Sequence, residues 1–238
     1  MDEFVFLDTE TTGNDILGDR LFQLCYKHND DLKSQYFTPP VPISIKSQSI
    51  THVTNKMVAG KGAFETSAMK KEVATLLKDN IMIAHNALFD IAMLSHEGVS
   101  VPRFICTLKL ARALDPENEI PEYNLQFLRY YHELDVKADA HDAVGDVLVL
   151  EALFKRYYKQ MQAMYPKENE AIEKMLMIST QPSLFTLFAF GKHKGKKIEE
   201  VVLFDRSYVE WLLEQKRQNA KPGEEDWIFS LKYHLKIE

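Results

Sequence analysis

Hydrophobic residues in the first two thirds of the chain occur in two patterns, short continuous runs and repeats three or four residues apart. The continuous runs predict buried strands at residues 4–8, 21–27, 35–37, 80–84 and 105–107. The repeats predict helices at residues 67–78, 86–98, 108–114, 124–132 and 143–162. The Pro-rich residues 38–44 must leave the sheet, because proline cannot donate to a strand ladder. Strands in succession, followed by strands that alternate with helices, are typical of an α/β domain with helices on the faces of one sheet.

The last third of the chain predicts a second, smaller unit. Residues 168–177 form a connecting helix in this prediction, and the polar residues 179–183 form the linker. Two short strand-like pieces then flank a loop at 191–195, and a helix follows at 207–216. The helical spacing of Tyr208, Trp211 and Leu212 predicts that they belong to the core of this unit and do not form a base-stacking surface. We therefore expect a large domain at 1–165, a connecting segment at 166–182 and a small domain at 183–238.

Four acidic residues and one histidine form the main candidate site. Asp8 and Glu10 end the first apolar run, and their side chains project from the same face because strand residues alternate with period two. Carboxylates at the end of an apolar strand are costly unless neutralised, and a hard divalent cation is the usual partner. Asp90 and Asp146, each near the start of a predicted helix, would complete an oxygen cage suited to Mg²⁺ or Mn²⁺. With His141 five residues before Asp146, this set is typical of a phosphodiester-cleaving site.

Each of these residues has a simpler explanation when it is taken alone. Asp8 and Glu10 could be solvated turn residues, and Asp90 and Asp146 could be helix-start acids favoured by the helix dipole. His141 could be a surface histidine in a polar loop. Their joint occurrence, each on the expected element, favours the metal site.

The motifs at 5–13 (VFLDTETTG), 84–90 (AHNALFD) and 140–146 (AHDAVGD) resemble those of the Asp-Glu-Asp-Asp exonuclease superfamily, in the branch whose general base is a histidine. Residues 51–58 and 105–114 resemble further segments of that family. Residues 182–214 resemble the C-terminal domain of its exodeoxyribonuclease X-like group. The resemblance implies a ribonuclease H-like exonuclease fold, in which helices flank a mixed central sheet, with a small α+β domain at the C-terminus.

The resemblance also implies the roles of the acidic residues. Two Mg²⁺ or Mn²⁺ ions would bind, with Asp8 bridging both and with Glu10 and Asp146 completing the first ion's ligands. Asp90 would hold the second ion directly or through water. His141 would take the proton from the attacking water, since a base that works near pH 7 needs a near-neutral pKa.

The family pattern further implies a set of substrate contacts. The main chain of residues 11–13 would cradle the terminal nucleotide, and Thr11, or Ile16 with Leu17, would wedge against its base. The expected contacts are Thr9, Thr11, Thr12, Gly13, Ile16, Leu17, His52, His85 and Asn86. For His85 a local hydrogen bond is favoured over a ligand role, and for Asn86 capping of the following helix is favoured over substrate contact.

The charge of the chain changes this picture only in part. A net charge of −6 over 238 residues does not suit a tight nucleic-acid coat protein, because phosphate neutralisation needs Lys and Arg. Bound cations would offset the four acidic ligands. A glycine-flanked basic loop also predicts local DNA contact, with a merely solvated loop as the alternative; its lysines are Lys192, Lys194, Lys196 and Lys197.

Composition adds an expectation about location. Cys25 and Cys106 are too few for a disulfide framework or a zinc site, which favours a reducing cytoplasm. No apolar run is long enough to span a membrane, and the first residues lead straight into the first predicted strand, so we expect neither a membrane segment nor a cleaved signal.

The sequence therefore predicts a metal-dependent 3′–5′ exonuclease that releases 5′-mononucleotides from DNA 3′ ends, single-stranded or duplex, in DNA repair. Alternatives in the same superfamily are an exoribonuclease that trims RNA and a proofreading subunit of a polymerase. The likeness of the C-terminal domain favours the DNA enzyme. A third alternative, an inactive nucleic-acid-binding adaptor, is disfavoured by the intact carboxylates and His141. Strand preference, processivity and oligomeric state stay open.

Overall fold

The computed structural model describes residues 4–137, 143–218 and 224–237. Its strands are β1 (Phe4–Thr11), β2 (Leu21–His28), β3 (Asp31–Tyr36), β4 (Ile81–Ala84) and β5 (Phe104–Cys106). They form one sheet in the order β3-β2-β1-β4-β5. β1 and β3 are antiparallel to β2, whereas β4 is parallel to both β1 and β5. The predicted mixed sheet is thus confirmed.

Helices occur between and after the strands of the sheet, and they make up most of the regular structure in the C-terminal part of the chain. In the first 137 residues they are α1 (Ile45–Thr51), α2 (Asn55–Val58), α3 (Ala68–Asp79), α4 (Ala87–His96), α5 (Thr107–Ala113) and α6 (Leu125–Tyr131). After residue 142 they are α7 (Ala143–Met164), α8 (Glu168–Thr180), α9 (Ile198–Phe204), α10 (Arg206–Gln218) and α11 (Glu225–Leu235). A single 3-10 turn at Phe64–Thr66 precedes α3.

The central strand β1 has two different faces. Val5 and Leu7 are fully buried in the main core, which also contains residues of α3 and α4. On the other face, Phe6 packs edge-to-face against Phe154 of α7, with 5.6 Å between ring centroids. Asp8 shares that second face by alternation. Since Phe154 follows Asp146 by about two helical turns, this packing brings the first turn of α7 toward the end of β1.

The chain forms two compact units. The first contains residues 1–111 and 122–179, and the second contains residues 112–121 and 180–238. The second unit has its own core of α9, α10 and α11 residues around Phe188. Within it, Arg112 lies 3.3 Å from Asp226 and its guanidinium lies 4.7 Å from the centre of the Phe185 ring, which attaches the segment 112–121 to this unit. The sequence-based bounds 1–165, 166–182 and 183–238 stay a prediction.

Several local predictions were wrong. Helices α1, α2, α9 and α11 lack a counterpart in the predicted elements, and β3 covers 31–36 where only 35–37 was predicted. In place of two strand-like pieces around the 191–195 loop, the described residues there contain one isolated bridge, Leu187 to Lys197. Leu212 is buried as expected, but Trp211 is 55% exposed and is not a core residue.

None of the helices in the described parts of the chain combines the length and the apolar character that crossing a membrane requires.

Candidate active site

Three of the predicted ligands come together at the end of β1. Asp8 and Glu10 project from this strand, and Asp146 lies in the first turn of α7. One carboxylate oxygen from each residue lies within 4.8 Å of the others. Asp146 is buried, whereas Asp8 and Glu10 are half-buried. Three carboxylates at this spacing repel one another when ionised. Because all three offer only oxygen, the set fits a hard divalent cation.

Asp90, the fourth predicted ligand, makes different contacts. It lies in the first turn of α4, is 3% exposed, and accepts hydrogen bonds from the Thr9 hydroxyl (2.7 Å) and the Thr9 backbone N–H (3.2 Å). Burial raises the pKa of Asp90 to about 7, against the hydrogen bonds from Thr9, which lower it. The Thr9 side chain leaves β1 on the face opposite to Asp8 and Glu10. Among the described residues the carboxylate group at 4.8 Å therefore comprises three residues without Asp90, whose metal role stays a prediction.

A residue that sequence reasoning missed, Gln126, contacts the metal-binding group. Asn124 caps α6 by accepting the Phe127 N–H at 2.8 Å. The Gln126 side chain in the first turn then donates to Asp146 Oδ1 at 2.5 Å. Its own oxygen accepts from Arg129 at 3.3 Å. The only sequence signal was the cap, which fixes where α6 begins and hence which side chain reaches Asp146.

The loop that follows β1 is braced by Asp19. The Thr12 hydroxyl donates to Asp19 Oδ1 at 2.7 Å, and the Asp15 N–H donates to Oδ2 at 2.8 Å. The Arg20 N–H donates to the Thr12 hydroxyl at 3.0 Å, which closes the network. A Cβ on Gly13 would lie 2.4 Å from Asp19 Oδ2. Gly13 therefore leaves the space that the Asp19 carboxylate occupies.

We expect Gly13→Ala and Asp19→Ala to destabilise the loop after β1 for the same reason. Either change removes the two hydrogen bonds to the Asp19 carboxylate, and a hydrogen bond to a charged group contributes roughly 1.5–3 kcal/mol. Hydrogen–deuterium exchange in the peptide covering 13–20 should therefore accelerate by about two orders of magnitude or more.

A double variant provides the control for this expectation. In the Asp19→Ala background, Gly13→Ala should change exchange by less than about twofold, because the clashing carboxylate is already gone. If the two effects on the exchange rate multiplied instead, Gly13 would act independently of Asp19.

The predicted nucleotide contacts differ in exposure. Thr9, Thr11 and Thr12 are buried, and their hydroxyls donate to Asp90, to the Gly13 carbonyl and to Asp19 respectively. Ile16 is half-buried and its carbonyl lies 2.5 Å from His96 Nε2. Leu17 is 71% exposed at the tip of the braced loop. Leu17 is therefore the apolar side chain of this loop that is open to a ligand.

The remaining predicted contacts in the first unit have mixed outcomes. His52 is exposed and ends α1 in the left-handed conformation. His85 lies between the Thr107 hydroxyl (2.9 Å) and the Tyr123 carbonyl (2.8 Å), so both of its ring nitrogens have partners within the protein, 22 and 38 positions along the chain rather than locally. Asn86 occupies the N-cap position of α4 but makes no side-chain capping bond, so the capping prediction was wrong. Its exposed side chain is open to a ligand.

The basic loop of the second unit is exposed at each of its lysines, Lys192, Lys194, Lys196 and Lys197. Lys192 pairs with Asp205 at 2.7 Å, and the hydrogen bonds from Lys192 and His193 hold the pKa of Asp205 at about 2.

The predicted base His141 lies outside the described residues.

Comparison with protein families matches residues 5–154 to the family described as Exonuclease. Residues 188–217 match the family described as Exodeoxyribonuclease X-like C-terminal. Exodeoxyribonuclease 10 of Escherichia coli (strain K12) is 30% identical over 184 residues, which cover 75% of each chain. DNA polymerase III PolC-type of Streptococcus pyogenes serotype M1 is 30% identical over 217 residues, 87% of this chain but 14% of the polymerase.

Solved structures give the same result for the fold. A structure of Exonuclease X in complex with 5′ overhanging duplex DNA superposes with a TM-score of 0.56 at 25% identity, over 74% of this chain and 99% of that one. E. coli Exonuclease I in complex with a dT13 oligonucleotide superposes with a TM-score of 0.59 at 20% identity, over 70% of this chain and 43% of that one. The predicted ribonuclease H-like exonuclease fold is confirmed.

Proposed function

Because this chain belongs to the exonuclease family, we propose that it removes 5′-mononucleotides one at a time from the 3′ ends of DNA. Enzymes of this family are hydrolases that depend on divalent metal ions. The observation that carries the proposal is the group formed by Asp8, Glu10 and Asp146, whose oxygens lie within 4.8 Å of one another. Such a group is unfavourable without a cation and is suited to a site that holds one.

The acidic residues would hold the metal, and the proposed ions are Mg²⁺ or Mn²⁺. When bound, they supply positive charge to the scissile phosphate and to the leaving 3′-oxygen, and they acidify the attacking water. Asp8, Glu10 and Asp146 would hold one ion, and Asp90 would contribute to holding a second ion, directly or through water. Gln126 would orient the Asp146 carboxylate, because its amide donates to one of the two oxygens.

Residues of the chain itself would accept the proton and hold the terminal nucleotide. His141, in its neutral form, would accept the proton of the attacking water. Leu17 would lie against the terminal base, and the Asp19 network would keep its loop in place. The backbone of 11–13 would contact the terminal nucleotide. In the second unit the lysines of the 191–197 loop would contact phosphates.

A role in DNA repair and a cytoplasmic location complete the proposal. Cys25 and Cys106 are buried and form no disulfide in the described part of the chain, which supports a reducing compartment. A second candidate is proofreading beside a polymerase, which the likeness to PolC-type polymerases over 217 residues favours. The two candidates differ in whether DNA synthesis by a partner accompanies nucleotide release.

End-labelled oligonucleotides test the proposed activity. With 5′-labelled DNA and Mg²⁺ or Mn²⁺, we expect a ladder that shortens from the 3′ end, and with 3′-labelled DNA we expect the label to appear as a 5′-mononucleotide. Excess EDTA should stop both reactions, because the carboxylate group requires a cation.

Two controls make this test specific. An oligonucleotide with a blocked 3′ end should stay intact, and an RNA of the same sequence should be shortened more slowly. Faster cleavage of RNA, or release from the 5′ end, would contradict the proposed function.

A further inference from the structure

The second unit has a row of aromatic rings that packs on its core and is exposed to solvent at both ends. Phe204 ends α9 and is 60% exposed, and Trp211 of α10 is 55% exposed. Between them, His193 lies 5.5 Å from the Phe204 ring and 4.8 Å from the Tyr208 ring. Tyr208 in turn lies 5.8 Å from Trp211. We call these four residues the aromatic row. Its two ends offer large flat rings to the solvent.

Lysines lie directly against this row. The Lys196 ammonium is 5.1 Å from the centre of the Phe204 ring, and the Lys192 ammonium is 5.9 Å from that of Tyr208. Both are exposed, as are Lys194 and Lys197. A cation at this distance from a ring interacts favourably with it. Positive charge is therefore held within one side-chain length of exposed aromatic surface.

The position of the rings is fixed by the loop. His193 is buried and its Nε2 lies 2.8 Å from Asp205 Oδ2, which also accepts from Lys192. Gly191 has a φ of +75°, and a Cβ there would lie 2.6 Å from the Tyr208 hydroxyl. Only glycine therefore allows the loop to approach Tyr208 this closely. The aromatic row is a preformed surface.

Two acidic side chains of α10 are already bonded to neighbours on the same helix. Glu210 accepts from Arg206 at 2.7 Å, and Glu214 accepts from Gln218 at 2.8 Å. Glu199 and Glu200 lie in the first turn of α9. Asp205, at the end of α9, accepts hydrogen bonds from Lys192 and His193. The loop 191–197 itself carries four lysines and no acidic residue, although the chain is acidic overall.

We infer that the aromatic row with its lysines binds single-stranded DNA, with bases stacked on Phe204 and Trp211 and phosphates on Lys192 and Lys196. This inference rests on the proposed function and adds a strand preference to it. Stacking needs unpaired bases, and any base offers a flat face, so the surface takes single strands of any sequence. Protein interfaces are enriched in aromatic residues but depleted in lysine, so the lysines favour nucleic acid over a protein partner.

Binding to the full-length chain in EDTA tests the inference without cleavage. The probe is labelled oligothymidylate of about 16 nucleotides, near the upper end of usual single-strand site sizes. Trp211→Ala and Phe204→Ala should each weaken its binding about 5- to 150-fold, which corresponds to one stacked base. Binding of a blunt duplex of the same length should not change.

Three matched variants separate stacking from other causes. Leu203→Ala, at a neighbouring position that is 87% exposed, removes apolar surface without a ring and should not change binding. Trp211→Phe keeps a ring and should retain most of the affinity. Trp227→Phe leaves Trp211 as the sole tryptophan. In this variant, binding of oligothymidylate should quench the fluorescence of Trp211.

Three results would overturn the inference. The first two are an unchanged affinity for oligothymidylate in both alanine variants and the absence of fluorescence quenching. The third is an equal loss of affinity in Leu203→Ala, which would indicate an apolar surface that binds a protein. A sedimentation coefficient that falls only in Trp211→Ala, with unchanged DNA affinity, would assign the surface to a second copy of this chain. Nucleotide release by the wild type is measured in parallel with Mg²⁺. Its absence contradicts the proposed function, whereas release without quenching contradicts this inference alone.

Discussion

Replacing Asp8 by alanine should abolish nucleotide release while leaving the fold intact. One carboxylate oxygen of Asp8 lies within 4.8 Å of oxygens of both Glu10 and Asp146, so the loss of Asp8 removes a ligand that the proposed ions share. Metal ions contribute several kcal/mol of transition-state stabilisation, so the rate should fall by about three orders of magnitude or more. The measurement is the release of mononucleotides from single-stranded DNA at saturating Mg²⁺.

Metal binding gives a second readout of the same change. In the wild type, Mn²⁺ should raise the temperature of unfolding, because a ligand that binds only the folded state stabilises it by mass action. Asp8→Ala should lose this shift. Without metal the variant should be at least as stable as the wild type, because one member of a repelling carboxylate group is gone.

Asp31→Ala is the matched control, since Asp31 is an exposed aspartate on β3 outside the carboxylate group. It should keep both the activity and the response to Mn²⁺. Full activity of Asp8→Ala, or wild-type activity that persists in excess EDTA, would contradict the metal assignment.

Only part of the carboxylate group could be predicted from local rules. Alternation along β1 places Asp8 and Glu10 on one face. Helical spacing identifies the apolar side of α7, but it does not determine where that helix packs on the sheet. The place of Asp146 beside Asp8 and Glu10 was predicted from the resemblance to the exonuclease superfamily.

Other parts of the site depend on tertiary contacts that leave no local pattern. The bonds from Thr9 to Asp90 follow from how α4 packs against β1, and the reach of Gln126 to Asp146 follows from how α6 lies beside α7. Neither contact has a characteristic sequence spacing. Helical spacing likewise predicted a buried Trp211, because it identifies a face of α10 but not whether another element covers that face.

Replacing His141 by alanine should lower turnover by roughly 10²–10⁴ while metal binding is preserved. The proposed role of His141 is to accept a proton, and it is not a proposed metal ligand. The Mn²⁺-dependent rise in unfolding temperature should therefore remain in this variant, in contrast to Asp8→Ala. Turnover at saturating DNA and metal is the primary measurement.

The pH dependence distinguishes loss of a base from general damage. A histidine accepts a proton only in its neutral form, so wild-type turnover should fall as the pH drops below a pKa of about 6.5. In His141→Ala this acid limb should disappear. Added imidazole should restore part of the rate, because it can accept the proton in place of the missing side chain.

His28→Ala is the control, because His28 lies at the end of β2 outside the carboxylate group. It should keep the wild-type rate and the wild-type acid limb. Wild-type turnover in His141→Ala would contradict the assignment and would require another group to accept the proton. A rate that rises tenfold per pH unit in the variant would show that hydroxide attacks in place of water. The wild-type enzyme would then use a general base that the variant lacks.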